Sequence, residues 1–415
     1  MFDTAENRSP LYYEIIRQLY YGKVLSCTDL SERTSKSIPL ITTAINALIK
    51  SGFVEKKGYA PSSGGRRPLM YALKPDRLYV VTIAMDQLSA RIGIVDMQNH
   101  YVSGVEVVEL RLLNNPQALD TLVQAISNHI DQSGIPRSKI IGAGIGMPGL
   151  VNAIDGINYS YLPVTGKSLS EYLSDALGLK VFIDNDSSLI ALAEHRFGKA
   201  HDFRNVMVIN LGWGIGLGMI INGQLYRGDD GFAGEFSHIP ISEKGSLCYC
   251  GKQGCLESEA SLLAVADKAL QGISKGRLSR LAFLTDQNQL VIGNALMDLA
   301  NQGDQYAIEL FMEAAYKIGR GLSILIHINN PKAIILSGRG AKVGKLVTAP
   351  IQQAITSYCI PRLANNTELL VSEFGYEAEL IGAAILVMEH FSRNTFAASA
   401  NTTRKFSKKM PDPQS

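Results

Sequence analysis

Residues 234–257 read Gly-Glu-Phe-Ser-His-Ile-Pro-Ile-Ser-Glu-Lys-Gly-Ser-Leu-Cys-Tyr-Cys-Gly-Lys-Gln-Gly-Cys-Leu-Glu. Three of the five cysteines, Cys248, Cys250 and Cys255, fall within eight positions, and His238 lies ten residues before the first. Three thiolates and an imidazole are a closed ligand set for structural zinc, since both donor types suit a tetrahedral d¹⁰ ion. The C-x-C-x₄-C spacing is not that of a common zinc finger, and a reduced cysteine cluster under a glycine-rich turn is the alternative. Glu235 and Glu257 bracket the four residues. A metal loop that pins two carboxylates is built to present them to a polar ligand.

Outward from this loop, 415 residues suffice for two or three domains with a sizeable core, and the 46% hydrophobic content is that of a globular protein. There is no uninterrupted apolar run of membrane-spanning length and no charged-then-apolar start, so neither a membrane nor a secretory route is expected. An odd number of clustered cysteines argues for a reducing compartment, hence the cytoplasm. The net charge of +2 conceals an asymmetry. From Arg8 to Lys74 there are eleven Lys/Arg against four Asp/Glu, leaving the remainder acidic. A basic module on an acidic body suggests a polyanionic partner for the module.

Its pattern says which partner. Leu11, Tyr12, Ile15, Ile16, Leu19 and Tyr20 form a helical stripe over 9–21. Ser26 and Asp29 have capping-box spacing before a short second helix, and Ser37 is placed to cap a third, with Pro39 in its first turn. Ile41, Ile45, Leu48 and Ile49 would be its buried face, leaving Ser37, Ile38, Leu40, Thr42, Thr43, Asn46 and Lys50 outward. Residues 53–73 read as a hairpin with a Gly/Ser-rich tip bearing Arg66 and Arg67. The expectation is an all-α winged helix-turn-helix over 1–75, its third helix suited to a major groove and its arginine tip to a minor groove. A helical module that docks protein is the alternative.

From residue 76 strands and helices alternate. Strands are expected at Tyr79–Met85, Ala90–Val95, Ile140–Ile145, Val181–Ile183, Val206–Asn210, Ala333–Leu336 and Leu369–Glu373. Helices are expected at Pro116–Gln132, Ser187–Arg196, Ala260–Leu270, Asp304–Ile328 and Ala378–Phe391. Such alternation packs as two lobes, each a sheet flanked by helices, with a cleft between them. The reading divides the body into a first lobe at 76–198, a second at 199–391 carrying the metal loop and oligomerisation helices, and a disordered tail at 392–415. The closing helix, 378–391, packs back on the first lobe.

Gly146-Met-Pro-Gly-Leu-Val151, Asp184-Asn-Asp186, the glycine-rich turn 211–218 and the 234–257 loop together resemble the ROK family of sugar kinases and sugar-responsive repressors. Gly64-Gly-Arg-Arg-Pro68 after a winged helix is similar to its repressor branch. The resemblance covers about residues 10–390. It implies an actin-like, sugar-kinase-type α/β fold of the two-lobed ATPase type, with His238, Cys248, Cys250 and Cys255 as ligands of a structural zinc. It also implies a sugar pocket of Gly149, Asn185, Asp186, Glu235, His238 and Glu257, in which Asp186 matches the general base of the family's kinases. Read alone, Asp184-Asn-Asp186 is more readily a helix N-cap cluster.

The departures fall where ATP would bind. The kinases' Asp-x-Gly-Gly-Thr is here Asp86-Gln-Leu-Ser-Ala90, Trp213 replaces a threonine, and Arg339 interrupts a third glycine cluster. Side chains at these positions obstruct the backbone approach that cradles phosphate, and phosphoryl transfer is almost wholly positioning and electrostatics. The sequence therefore reads as a sugar-responsive transcriptional repressor, not an enzyme, that binds an operator in double-stranded DNA as a homodimer or dimer of dimers and is released by a monosaccharide. A sugar kinase carrying a DNA-binding module, and a sugar-binding scaffold that docks protein, are the other readings.

Overall fold

The computed structural model describes residues 9–61 and 67–392. Arg66 and the tail expected from Ser392 onward, but for Ser392 itself, therefore lie outside the described residues. The chain opens with α1 (Pro10–Gly22), β1 (Val24–Ser26), α2 (Cys27–Thr34), α3 (Ile38–Lys50), β2 (Val54–Tyr59) and β3 (Leu69–Leu73). Ser9 caps α1 by accepting from the Leu11 amide, and Pro10 sits where its missing N–H costs nothing. Ser26 and Asp29 form the capping box of α2, each side chain accepting the other's backbone N–H. The Ser37 side chain makes no such bond to α3, because it lies exposed rather than folded back on the first turn. A third strand joins the hairpin: β1 pairs with β3, giving the order β1-β3-β2. Three residues are too few to register as a strand, and Ser26 serves both as its end and as a cap.

The body holds two five-stranded sheets. The first is made of β4 (Tyr79–Met85), β5 (Ser89–Asp96), β6 (Glu106–Glu109), β7 (Ile140–Met147) and β10 (Val181–Asn185), with α4 (Ala118–Gln132), a small ribbon β8 (Val151–Asn152) and β9 (Ile157–Asn158), and α5 (Leu169–Leu177) between them. Helix α6 (Asp186–Phe197) follows directly. The second sheet comprises β11 (Val206–Leu211), β12 (Ile215–Ile221), β13 (Gln224–Tyr226), β14 (Ala333–Ser337) and β15 (Glu368–Val371). Between its third and fourth strands run α7 (Leu256–Ala260), α8 (Leu262–Ser274), α9 (Gln289–Asn301) and α10 (Gln305–Asn329); α11 (Gly344–Tyr358), α12 (Pro361–Ala364) and α13 (Ala378–Glu389) complete the chain.

The two sheets share one topology. Each begins with an antiparallel meander of three strands, then adds two parallel strands beside the first, giving β10-β7-β4-β5-β6 and β13-β12-β11-β14-β15. The helices that close them are exchanged. Helix α6, which leaves the first sheet, packs on β11 and β12 of the second, while α13, which leaves the second, packs on β4 and β7 of the first. The boundary expected at 198/199 thus falls behind a helix that lies in space against the second sheet.

Glycines let these elements approach. A Cβ at Gly216 or Gly218 in β12 would stand 1.8 Å from Ser187 Oγ or 2.4 Å from the Ala191 Cβ of α6. These two glycines, expected in a turn, are strand residues that admit a helix. At Gly382 of α13 a Cβ would stand 2.1 Å from the Leu189 carbonyl oxygen of α6, so the two helices meet backbone to backbone. The head rests on the same pair: Tyr13 packs edge-on against Phe391 at 5.2 Å and Tyr20 against Phe197 at 5.7 Å, while Tyr20 Oη donates to Asn99 Oδ1 at 2.5 Å.

Gly382→Ala should cost about 2–4 kcal/mol, because a methyl cannot be placed against backbone without separating α6 from α13. Urea unfolding at equilibrium measures it; a loss below about 0.5 kcal/mol, the ordinary surface range, would show that the helices part freely.

Candidate sugar pocket and metal centre

The His238, Cys248, Cys250 and Cys255 donor atoms all lie within 4.8 Å of one another. Cys250 Sγ and Cys255 Sγ are 3.6 Å apart, as are Cys248 Sγ and His238 Nδ1. A tetrahedral ion with bonds of about 2.3 Å to sulfur sets its ligand atoms about 3.8 Å apart, so the cluster has the span of one zinc shell. Burial pushes the Cys255 thiol up to about 12, a cost that a bound cation would remove by holding the thiolate. The four residues therefore fit a metal.

His238 turns Nδ1 to the sulfurs and Nε2 to the cleft, where Nε2 lies 3.1 Å from Tyr249 Oη and 3.8 Å from Glu235. One imidazole can thus serve the cluster and the pocket through different nitrogens. Cys255 is also the N-cap residue of α7, which places Glu257 in that helix's first turn. Glu257 is buried, and its Oε2 accepts the Ile215 amide proton at 2.8 Å. Burial raises its carboxyl to about 7. Burial raises Glu235 likewise.

The opposite wall is the N-terminus of α6. Asn185 is its N-cap: Oδ1 accepts from Ser187 and Ser188, while Nδ2 donates to the Gly149 carbonyl at 3.2 Å. Gly149 has φ of +89°, and a Cβ there would stand 2.5 Å from Ser160 Cβ, which explains the glycine. Asp186 Oδ1 accepts from the Ser187 amide and hydroxyl, and Oδ2 accepts from Asn210 at 3.1 Å. Asp184 points away and pairs with Arg227 at 2.5 Å. The two readings of Asp184-Asn-Asp186 therefore coexist: Asn185 caps the helix, and the capped turn holds Asp186 over the cleft. Asp186 keeps part of its surface on the cleft, yet desolvation outweighs its hydrogen bonds and raises it to about 6.

Gly149, Asn185, Asp186, Glu235 and Glu257 line one pocket, with His238 at its edge. Tyr249 and Asn210 line it too, and neither is marked in the sequence except by its place, Tyr249 between two ligand cysteines and Asn210 at the end of β11. The pocket continues to Asp86, where the structure adds what the motifs do not suggest. Asp86 Oδ1 accepts from the Leu88 and Ser89 amides, closing the 86–90 turn on itself. Its Oδ2 accepts from Trp213 Nε1 at 3.1 Å and from Arg339 at 3.1 Å. Arg339 also donates to Tyr376 Oη and Asn294, and its guanidinium lies 4.7 Å from the Trp213 ring and 4.0 Å from that of Tyr376. Arg91 stacks on the other face of Tyr376 at 3.4 Å and pairs with Glu379 at 3.5 Å. Trp213 and Arg339, two of the residues that depart from the kinase pattern, thus both bond to Asp86, which keeps it.

In the head, Ile38, Leu40, Thr42, Thr43, Asn46 and Lys50 are exposed on α3, and Ser37 precedes them. Thr42 and Thr43 hydroxyls donate to the Ile38 and Pro39 carbonyls. Arg67 is exposed beside the hairpin.

A two-lobed α/β body of the actin-like, sugar-kinase type, with a carboxylate-lined cleft and a three-helix, three-stranded head, is the class that fold and site define. The ROK family model matches residues 91–390, and the chain belongs to the ROK family. The xylose repressor of Bacillus spizizenii is 30% identical over 390 residues, 91% of this chain and 94% of that protein. A glucokinase of Halalkalibacterium halodurans is 31% identical over 323 residues, covering 76% of this chain and 96% of the kinase. Among solved structures, a ROK family transcriptional regulator, homologous to the Escherichia coli MLC protein, superposes with a TM-score of 0.73 at 23% identity, over 95% of this chain and all of that one, a likeness of fold.

Two tests address the site. Cys250→Ser, or stripping the protein with a chelator, should loosen the loop and lower the melting temperature by several degrees, with one zinc per chain by elemental analysis of the untreated parent; intact stability with no zinc would refute the centre. Asp186 titrates higher in the folded protein than its ordinary 3.8, so the folded state binds the proton more tightly. Stability is therefore lost as pH rises from about 4 through about 6. Asp186→Asn should remove that loss and stabilise the protein at pH 8, but not at pH 4, by about 1–2 kcal/mol after allowance for solvent screening. Equal effects at both pH values would mean the carboxyl is not perturbed.

Proposed function

We propose that the chain is a sugar-responsive transcriptional regulator, a repressor whose head, about residues 1–75, binds operator DNA and whose cleft binds a monosaccharide that releases it. The single observation that carries this reading is the contrast between the two halves of the cleft. Asn185, Asp186, Glu235 and Glu257 face open pocket, whereas Asp86, Trp213, Arg339 and Tyr376 bond to each other where a nucleotide's phosphates would lie. Carboxylates and an amide suit vicinal hydroxyls, and a site built to hydrogen-bond hydroxyls rejects analogues that lack them. The repressor relative spans the head as well as the body, while the kinase relative leaves about a quarter of this chain unmatched.

Zinc on His238, Cys248, Cys250 and Cys255 would fix the loop that carries Glu235, Tyr249 and Glu257. In the head, the exposed face of α3 would read base edges and Arg66 and Arg67 an adjacent minor groove. Ile324 and Ile328 on α10, with Tyr358 and Ile360 at and just beyond the end of α11, expose apolar surface that fits a second copy. No helix among the described residues is long and apolar enough to cross a membrane, and a regulator of this kind works in the cytoplasm.

The signal has a route. A sugar held by Asp186 from one side and Glu257 from the other favours a particular lobe angle. The head sits on Phe197, the last residue of α6, and on Phe391, just beyond α13, so a change of lobe angle moves it. Two heads then leave their half-site spacing.

Fluorescence anisotropy on an operator fragment selected from the genome, with a panel of monosaccharides, tests this. The matching sugar should weaken DNA binding about 5–150-fold, and DNA should weaken sugar binding by the same factor. Asp186→Asn should abolish the effect while leaving DNA affinity intact. A sugar effect that survives in the variant would remove the cleft as sensor, and ATP-dependent phosphorylation of the same sugar at enzyme-like rates would favour a kinase.

A further inference from the structure

A second crevice lies where the head meets the body, at the other end of α6 from the sugar pocket. It has a volume of about 660 Å³, within the range of small-molecule sites. Arg17 of α1 and Arg33 of α2 line it from the head; His195 and Arg196 of α6, His201 and Glu389 of α13 line it from the body. Glu389 is the one carboxylate among the described lining residues. Arg196 reaches it at 3.5 Å, while Arg17 pairs with Glu14 and donates to the Glu389 carbonyl at 3.4 Å. Arg33 has no partner among the described residues and is exposed.

Two further observations make the crevice more than a charged surface. Tyr21 and Arg196 both line it, the guanidinium over the phenol ring at 4.9 Å, and Tyr21 Oη and Arg196 Nε are enclosed without a hydrogen-bond partner. Enclosed donors are normally satisfied, and the protein supplies no acceptor here. The field is also positive: burial, then the charges of Arg196 and His201, pull His195 down to about 4, so its ring stays neutral and can donate from one nitrogen. The guanidinium groups of Arg17, Arg33 and Arg196 and an imidazole N–H, converging from several elements, are the donor set of a phosphate site.

We propose that this crevice binds a phosphate group, and that the bound group ties the head to the body. Its donors come from both parts, so an anion held by all of them favours one head orientation. The phosphate could belong to a small phosphorylated metabolite or to the DNA backbone. Binding in the crevice does not depend on the assignment of the cleft to sugar; its consequence for DNA rests on the regulator reading.

Isothermal titration of the full-length protein with inorganic phosphate and with pyrophosphate, at low ionic strength, is the test. The variant is Arg33→Ala with His201→Ala, both exposed positions whose loss should not impair folding; circular dichroism checks that it does not. Saturable binding at one site per chain, weakened at least tenfold in the variant, is the result expected of a free phosphate ligand. If neither anion binds the parent but the variant lowers the salt dependence of operator binding by about one ion or more, the phosphate is that of the backbone. Anion binding together with a failure of the parent to bind any DNA would leave the site standing and overturn the regulator instead. Equal anion heats in parent and variant, with an unchanged salt slope, overturn the proposal.

Discussion

The contact on which everything else depends is the meeting of α6 with α13. At Gly382 the helices touch backbone to backbone, and each lies on the sheet that the other one leaves. Dispersion and burial at such a contact are short-ranged, so the helices either stay in register or separate. That rigidity is useful at both ends of α6. Its first residue is Asp186, held over the cleft by the Asn185 cap, and its last is Phe197, against the head. A sugar-dependent change felt at one end has a stiff element leading to the other.

The cleft between the lobes is divided by chemistry. On one side the carboxyls of Asp186, Glu235 and Glu257 are all raised by desolvation, which means that the pocket carries charge at a cost. Hydroxyl donors relieve that cost. On the other side Asp86 is fully engaged by Trp213, Arg339 and its own turn. These bonds join residues far apart in the chain and span the cleft.

Much of this was legible in the sequence because the informative residues are close together. The His/Cys cluster lies within eighteen positions, and the fold class followed from strand and helix periods plus the family motifs. What was not legible came from distance along the chain. Tyr376 and Glu379 meet Asp86 and Arg91 across nearly three hundred residues, and no local pattern marks them. Gly216 and Gly218 looked like turn glycines, since a sequence does not show that a helix will lie on a strand. The strand at Val24–Ser26 and the helix α7 were too short for a period, α9 and α11 were hidden where Gly293 and Pro350 break the helical stripe, and α5 was missed although Ser168 and Glu171 have capping-box spacing.

The exchange of helices also orders events in time. The face of β4 and β7 that α13 covers is complete once Met147 has been made, but α13 begins only at Ala378. At about 5–20 residues per second the first sheet waits on the order of ten seconds or more on the ribosome with an apolar face uncovered. The head, whose aromatic seats are Phe197 and Phe391, waits longer still for the second of them. The body is therefore not a first lobe followed by a second. It closes only when the last helix arrives, and a chain broken off before residue 378 would leave the first sheet exposed to aggregation.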